Sequence, residues 1–357
     1  MMLGISVYLA NDQTSFQTSY IRKMREQGFT SLFTSLHIPE DDPSVYKEKL
    51  QELGKLAQKY DMELIADISP ASLQYLGYRL DNAPDLLTWG VKGLRIDEGM
   101  DEQTIAHLSQ NMKIVLNAST ITREALTKMQ KAGVRLSATE AWHNFYPRPE
   151  TGLDFQAMKE KNKWLKEQGL IVMAFIPGDE KLRGPLFQGL PTVEAHREIS
   201  PFAAYMHLQQ EGCVDKVVVG DISIKESTIQ QFATMQKGKV FLLRARARTK
   251  NQLLLQSLRI PQTNRLDVAR DCLRSVESRA CRRYSEQTIS PTNTIERPKG
   301  TITIDNEKYG RYQGEIQVTK RDLPADSKVN VIGNVIAEDL PLLSFIHGGD
   351  RFKVKWI

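Results

Sequence analysis

The chain has 357 residues, with 48 Lys/Arg against 43 Asp/Glu, a formal net charge of +5, and 41% hydrophobic content. That length exceeds a usual single core, and no apolar run approaches the ~20 residues of a membrane span. The start lacks the basic-then-apolar pattern of a secretion signal, so a cytoplasmic protein without membrane contact is expected. Cys213, Cys272 and Cys281 are odd in number and scattered, which argues against a disulfide framework or a zinc site.

Through residue 238, short apolar runs alternate with helical patterns about every 30 residues, the length of a βα unit. Strands are predicted at Leu3–Leu9, Phe29–Ser35, Met62–Ile68, Gly93–Ile96, Lys113–Leu116, Val134–Thr139, Leu170–Ile176 and Val214–Val219. The seventh is apolar on both faces, as a parallel strand covered by helices must be. Asp42-Pro43 supplies a cap and a first-turn proline, after which Tyr46, Leu50, Leu53 and Ala57 mark one helical face. Ser223 through Glu226 reads as a capping box opening the eighth helix. Eight units, with no Gly-x-Gly-x-x-Gly turn after the first strand, favour a (β/α)8 TIM barrel over an open sheet.

Beyond Lys239 the pattern changes. Thr301–Ile304 and Tyr309–Val318 read as a hairpin, Val329–Ile336 as a strand, and Phe352, Val354 and Trp356 as one face of a last strand. A small, mostly β second domain, 239–357, follows a barrel domain, 1–238. Residues 239–300 hold 14 Lys/Arg against 5 Asp/Glu, and the barrel carries a net −4. The alternation of Arg244, Arg246 and Arg248 suits a solvated or carboxylate-facing side of a strand. Aromatic interleaving is missing, so no nucleic-acid partner is expected. The basic stretch is expected to face the acidic barrel or an anionic substrate, within one chain or across a homodimer.

In such a barrel the chemistry sits where strands end and βα loops begin. The predicted ends supply Asn11 and Asp12, Ser35 and His37, Asp67, Asp97 and Glu98, Asn117, Glu140 and His143, and Asp221. Between His143 and Gly152 a loop fixed by two prolines and a glycine also carries Asn144, Tyr146 and Arg148, an inventory suited to binding. Several carboxylates at one mouth suit glycoside hydrolysis by an acid and a nucleophile or base. Metal chemistry would ask for more histidines than His37 and His143, so no metal or other cofactor is expected. Asp97, Glu98, Glu140 and Asp67 are the catalytic candidates; Arg95, of the same strand parity as Asp97, offers a purely structural pairing. Asn117, His143, Asn144, Tyr146 and Asp221 are candidates for substrate contact. Barrels often bind phosphate at the loops after strands 7 and 8, where Gly178, Arg183 and Gly184 lie, with Arg148 in the neighbouring loop.

The His143–Gly152 segment, the stretch from Arg183-Gly184-Pro185-Leu186 to Gly189-Leu190-Pro191-Thr192, and the ending Phe345-Ile346-His347-Gly348-Gly349-Asp350 resemble the bacterial 6-phospho-N-acetylmuramidases, a glycoside hydrolase family. The resemblance spans the whole chain. It implies a TIM barrel followed by a cyclophilin-like β domain. It also implies cytoplasmic cleavage of N-acetylmuramic acid 6-phosphate β-1,4-linked to N-acetylglucosamine, in cell-wall recycling. The alternatives are another 6-phosphoglycoside as substrate, or a non-catalytic phosphosugar sensor. The leading mechanism has Glu140 as proton donor and Asp97 as nucleophile or base. The second uses the adjacent Asp97-Glu98 pair in substrate-assisted cleavage.

Overall fold

In the computed structural model, which describes residues 1–9, 14–38, 42–96, 100–280 and 288–357, the first eight strands close into a parallel barrel. They are β1 (Met2–Ser6), β2 (Ser31–Ser35), β3 (Glu63–Ile68), β4 (Val91–Ile96), β5 (Lys113–Asn117), β6 (Thr139–Trp142), β7 (Ile171–Ile176) and β8 (Lys216–Val219). Helices α1 (Thr14–Glu26), α2 (Tyr46–Lys59), α3 (Pro70–Tyr75), α4 (Glu102–Asn111), α5 (Arg123–Lys131), α6 (Phe155–Glu167), α7 (Pro201–Glu211) and α8 (Glu226–Gly238) alternate with them. Among the described residues no helix is long and apolar enough to cross a membrane.

The local signals act where they stand. Asp42 accepts the Ser44 N–H at 2.9 Å ahead of Pro43, and α2 buries Tyr46, Leu50, Leu53 and Ala57. Asp154 caps α6 by accepting the Ala157 N–H. Gly93 has no side chain because a Cβ there would lie 2.9 Å from the Ile65 side chain and 2.8 Å from the Lys113 carbonyl. Ser223 does not cap α8. Its buried hydroxyl takes the Lys181 N–H at 3.2 Å, in the loop after β7.

The sixth strand is displaced from its predicted place, and this moves Glu140. The apolar run at Val134–Ala138 closes α5 and forms a short 3-10 turn, with the Arg135 N–H bonded to Ser109 Oγ at 2.9 Å. The strand begins only at Thr139. Glu140 is therefore its second residue, at the amino-terminal end of the barrel interior. Strand tilt produces the same effect across the sheet. The paired row Ser35, Asp67, Arg95, Val115 and Glu140 starts on β2 at the last residue and reaches β6 near the first.

At that end Glu140 is saturated. Lys113 Nζ lies 2.5 Å from Oε1, while Lys216 Nζ at 3.0 Å and Trp142 Nε1 at 2.7 Å serve Oε2. Both lysines also bind Glu63. Above this charged layer Phe33, Ile65, Val115, Trp142, Met173, Phe175 and Val218 fill the barrel. Burial opposes the Glu63 charge, but Lys216 and Lys113 outweigh it and hold the carboxyl below the usual carboxylate range. Burial likewise opposes the Lys113 charge, and Glu140 and Glu63 hold its pKa above the usual value. A depressed Glu63 contributes stability that is full above its unfolded value, ~4.3, and is lost as pH falls through the folded one. The unfolding free-energy difference between the chain and Glu63→Gln should therefore be constant from about pH 6 to 9 and shrink below pH ~4.3. A difference unchanged in acid would refute the linkage.

Contact density divides the chain into two units, Met1–Glu226 and Ser227–Ile357, so nearly all of α8 groups with the C-terminal unit. That unit holds a seven-stranded sheet made from β9 (Val240–Ala247), β10 (Gln262–Thr263), β11 (Cys272–Arg274), β12 (Thr301–Asp305), β13 (Ile316–Thr319), β14 (Val329–Val335) and β15 (Arg351–Trp356). The order is β10-β15-β9-β14-β12-β13-β11, antiparallel except for β15 beside β9. The predicted hairpin is β12–β13, although a 3-10 segment at Glu307–Tyr312 takes up much of its second run. Arg244 is the carboxylate-facing arginine of its alternation: Asp339 binds it at 2.6 and 3.0 Å and also accepts from Gln231 of α8 at 3.0 Å. Arg246 and Arg248 are exposed.

Candidate active site at the barrel mouth

At the carboxyl-terminal end of the barrel a cavity of about 220 Å³ is lined by Phe33, Ser35, His37, Ile38, Asp67, Arg95, Asn144, Phe145, Phe175 and Arg183. Asp67 is its described carboxylate. Oδ1 lies 2.8 Å from Arg95 Nη1, and Oδ2 accepts the Ser35 hydroxyl at 3.0 Å. The Ser35 oxygen in turn takes the His37 N–H at 3.3 Å. Arg95 also donates to Asn144 Oδ1, so one polar chain runs from β2 through β3 and β4 to the loop after β6. Among the described residues, Asp67 is a carboxylate partner of Arg95. Asp97 and Glu98, which follow β4 in the sequence, lie outside the described residues, as do Asn11, Asp12 and Cys281.

The rest of the lining is largely aromatic. Phe145 meets Phe175 edge-on at 5.1 Å and Phe33 at 6.4 Å between ring centroids. The Arg183 guanidinium sits 5.6 Å from the Phe145 centroid and 4.7 Å from that of Tyr8. A planar cation held against two rings is pre-organised for an oxyanion.

Asp221 lies outside the cavity lining and clamps the arginine's loop. It is buried and accepts the N–H groups of Gly178 at 2.7 Å, Leu190 at 2.9 Å and Arg183 at 3.0 Å. Burial pushes its pKa above the usual value, against those three bonds and Arg183. The Gly178 N–H is consequently spent within the protein and is not available to a phosphate. Gly184 lies outside the lining and packs against Phe187, the nearest ring atom 3.2 Å from where a Cβ would be.

The polar loop divides by strand parity. Trp142 points inward, so His143 points outward and is completely buried between the barrel and α6. Its Nε2 faces Asn162 Oδ1 at 2.7 Å and its Nδ1 faces Ser119 Oγ at 3.1 Å. The Asn162 amide nitrogen is itself engaged by the Gly212 carbonyl at 2.8 Å, leaving Oδ1 to accept from Nε2–H. Burial pushes the imidazole down to about 4, so it is neutral and serves as scaffold rather than substrate ligand. Ser119 passes this order on by accepting the Asn144 N–H at 3.1 Å. Asn117 is buried and accepts the Ser119 N–H at 2.9 Å. Tyr146 binds through its backbone, its N–H reaching the Pro191 carbonyl at 3.0 Å. Neither lines the cavity. Arg148 is exposed and also outside the lining.

The brace between the loops after β6 and β7 went unread in the sequence. Glu194 accepts the N–H groups of Glu150 and Gly152 and two 2.6 Å bonds from Arg197. The Arg197 bonds, with those backbone donors, hold its carboxyl at about 2. Arg197 also reaches the carbonyls of Gly189 at 3.1 Å and Tyr146 at 3.0 Å. Thr192 finishes the lacing, donating to the Asn144 carbonyl at 2.8 Å. Among the described residues there is no group of three His, Cys, Asp or Glu that could hold a metal ion.

A parallel barrel whose strand ends gather a carboxylate, two arginines and three phenylalanines around one pocket is built as barrel enzymes are. Residues 3–234 match the N-terminal model, and residues 241–355 the C-terminal model, of the 6-phospho-N-acetylmuramidases; the chain belongs to that family. It is similar in structure to a conserved protein of unknown function from Enterococcus faecalis, with a TM-score of 0.90 and 44% identity over 100% of this chain and 96% of that one. An uncharacterized B. cereus protein is similar over 99% of both chains, with a TM-score of 0.74 and 25% identity. No curated protein matches the chain.

Proposed function

We propose that the barrel mouth hydrolyses the β-1,4 bond between 6-phosphorylated N-acetylmuramic acid and N-acetylglucosamine, as a cytoplasmic step of cell-wall recycling. The observation that carries this reading is the mouth cavity itself, lined by Asp67, Arg183 and three phenylalanines in a chain of this family. Sugar rings pack their apolar faces on aromatics such as Phe33 and Phe145, while Asp67, oriented by Arg95 and Ser35, faces the reacting ring as nucleophile or water-activating base. Asp97 or Glu98 donates the proton to the departing O4 of N-acetylglucosamine. Water adds its hydroxyl to C1 of the muramyl unit, releasing N-acetylmuramic acid 6-phosphate. Arg183 receives the phosphate. The chemistry asks for no cofactor from the residues named.

The test is release of free N-acetylglucosamine from the phosphorylated disaccharide. Asp67→Asn keeps the size and one acceptor oxygen but removes the charge, so kcat should fall ~10²-fold or more while substrate still binds. Asp97→Asn and Glu98→Gln identify the acid: its variant should recover on a glycoside with a good leaving group. No sugar release by the unaltered chain would leave a phosphosugar-binding protein instead.

A further inference from the structure

A second cavity lies away from the barrel mouth. It is an open groove of about 740 Å³ within the C-terminal unit, between α8 and the sheet face formed by β9 and β15. Its floor is apolar, from Val240 and Leu242, while Lys237, Arg259, Arg351, Lys353 and Lys355 surround it. None of the described residues lining it is acidic. Register explains the row. Arg351, Lys353 and Lys355 pair with Val240, Leu242 and Arg244 of β9 and share their face. Arg244 has Asp339 as its counter-charge, whereas Lys355 has the neutral Gln230 oxygen at 2.6 Å.

Lysines on a sheet often serve to stop edge pairing. Here the three side chains rise from the face, not the edge, and two more cations arrive from α8 and from the turn before β10. Five like charges around one apolar floor repel one another, and an anion relieves that. Alternate positions on a strand stand ~6.6 Å apart, so the row repeats over ~13 Å. Phosphates of a small polyphosphate cluster far more tightly. Single-stranded nucleic acid wants exposed rings for its bases. Trp356, the aromatic residue of the groove, is occupied: it packs on Gly333 and donates Nε1–H to the Leu255 carbonyl at 2.9 Å. We infer that this groove docks an extended acidic peptide segment carrying carboxylates at alternate positions, the spacing that matches Arg351, Lys353 and Lys355.

The experiment is fluorescence polarisation with the full chain and a labelled peptide alternating Glu and Thr. Binding is expected at low salt and should weaken as salt rises. Arg351→Glu with Lys353→Glu, and separately the exposed Lys237→Glu, should each weaken it by ~10-fold without moving the unfolding midpoint. Lys237 lies off the strand, so its variant keeps the test valid should the strand variant unfold. The inference falls if the peptide fails to bind at low salt or if both variants bind it as the unaltered chain does. It also falls if inorganic triphosphate or oligothymidylate displaces the peptide at equal concentration.

Discussion

Glu140→Ala should cost the fold about 3–5 kcal/mol while leaving catalysis per folded molecule within about threefold. The carboxylate is 2% exposed and sits between two lysines, one of them, Lys216, fully buried. Removing it leaves two ammonium groups sharing Glu63 in the floor of the barrel, with the Trp142 indole N–H losing its acceptor. An uncompensated buried charge is among the largest single-residue penalties a domain meets. Chemical denaturation should show the midpoint falling with little change in slope. A variant that kept its stability but lost ~10²-fold in kcat would restore Glu140 as the acid and overturn its placement at the barrel floor.

The same residue shows how far the sequence could be read. The barrel was legible because eight apolar runs alternate with capped helical faces, and periodicity reports on burial directly. Strand 6 was not, because Val134 and Leu136 imitate a strand while the real one, Thr139–Trp142, carries a glutamate. A charge inside a barrel is silent in sequence when its partners, Lys113 and Lys216, lie on other strands. Direction was equally hidden. His143 is one residue past an inward Trp142 and so faces α6; a polar loop announces its residue types but not the side each takes. Asp67 and Arg183 were legible because strand ends and the loop after strand 7 meet at the mouth whatever the register. Phe33 and Phe175 lie inside apolar strand runs, and only closure of the barrel sets them with Phe145 around the cavity. Asp221 was found as a polar residue, but its use on three backbone N–H groups depends on a loop path that sequence does not reveal.

Removal of the 6-phosphate should lower kcat/KM at least ~10³-fold, and Arg183 should account for most of that loss. The guanidinium is held on two aromatic faces, and its backbone N–H is fixed by Asp221, so its position is set before substrate arrives. A cation prepared in this way loses its full compensation when the ligand is uncharged. Arg183→Ala should therefore reduce kcat/KM ~10²- to 10³-fold on the phosphorylated disaccharide and change the unphosphorylated one little, because the residue has nothing to read there. Arg183→Lys should recover only part of the difference, since an ammonium keeps the charge without the planar fork or the stacking. Arg148→Ala provides the contrast: the side chain is exposed and outside the cavity, so both substrates should be unaffected. Equal kcat/KM for phosphorylated and unphosphorylated disaccharide would eliminate phosphate recognition at this mouth. Equal losses on both substrates in Arg183→Ala would instead make the arginine a support for the Tyr8 and Phe145 wall, with the phosphate bound elsewhere.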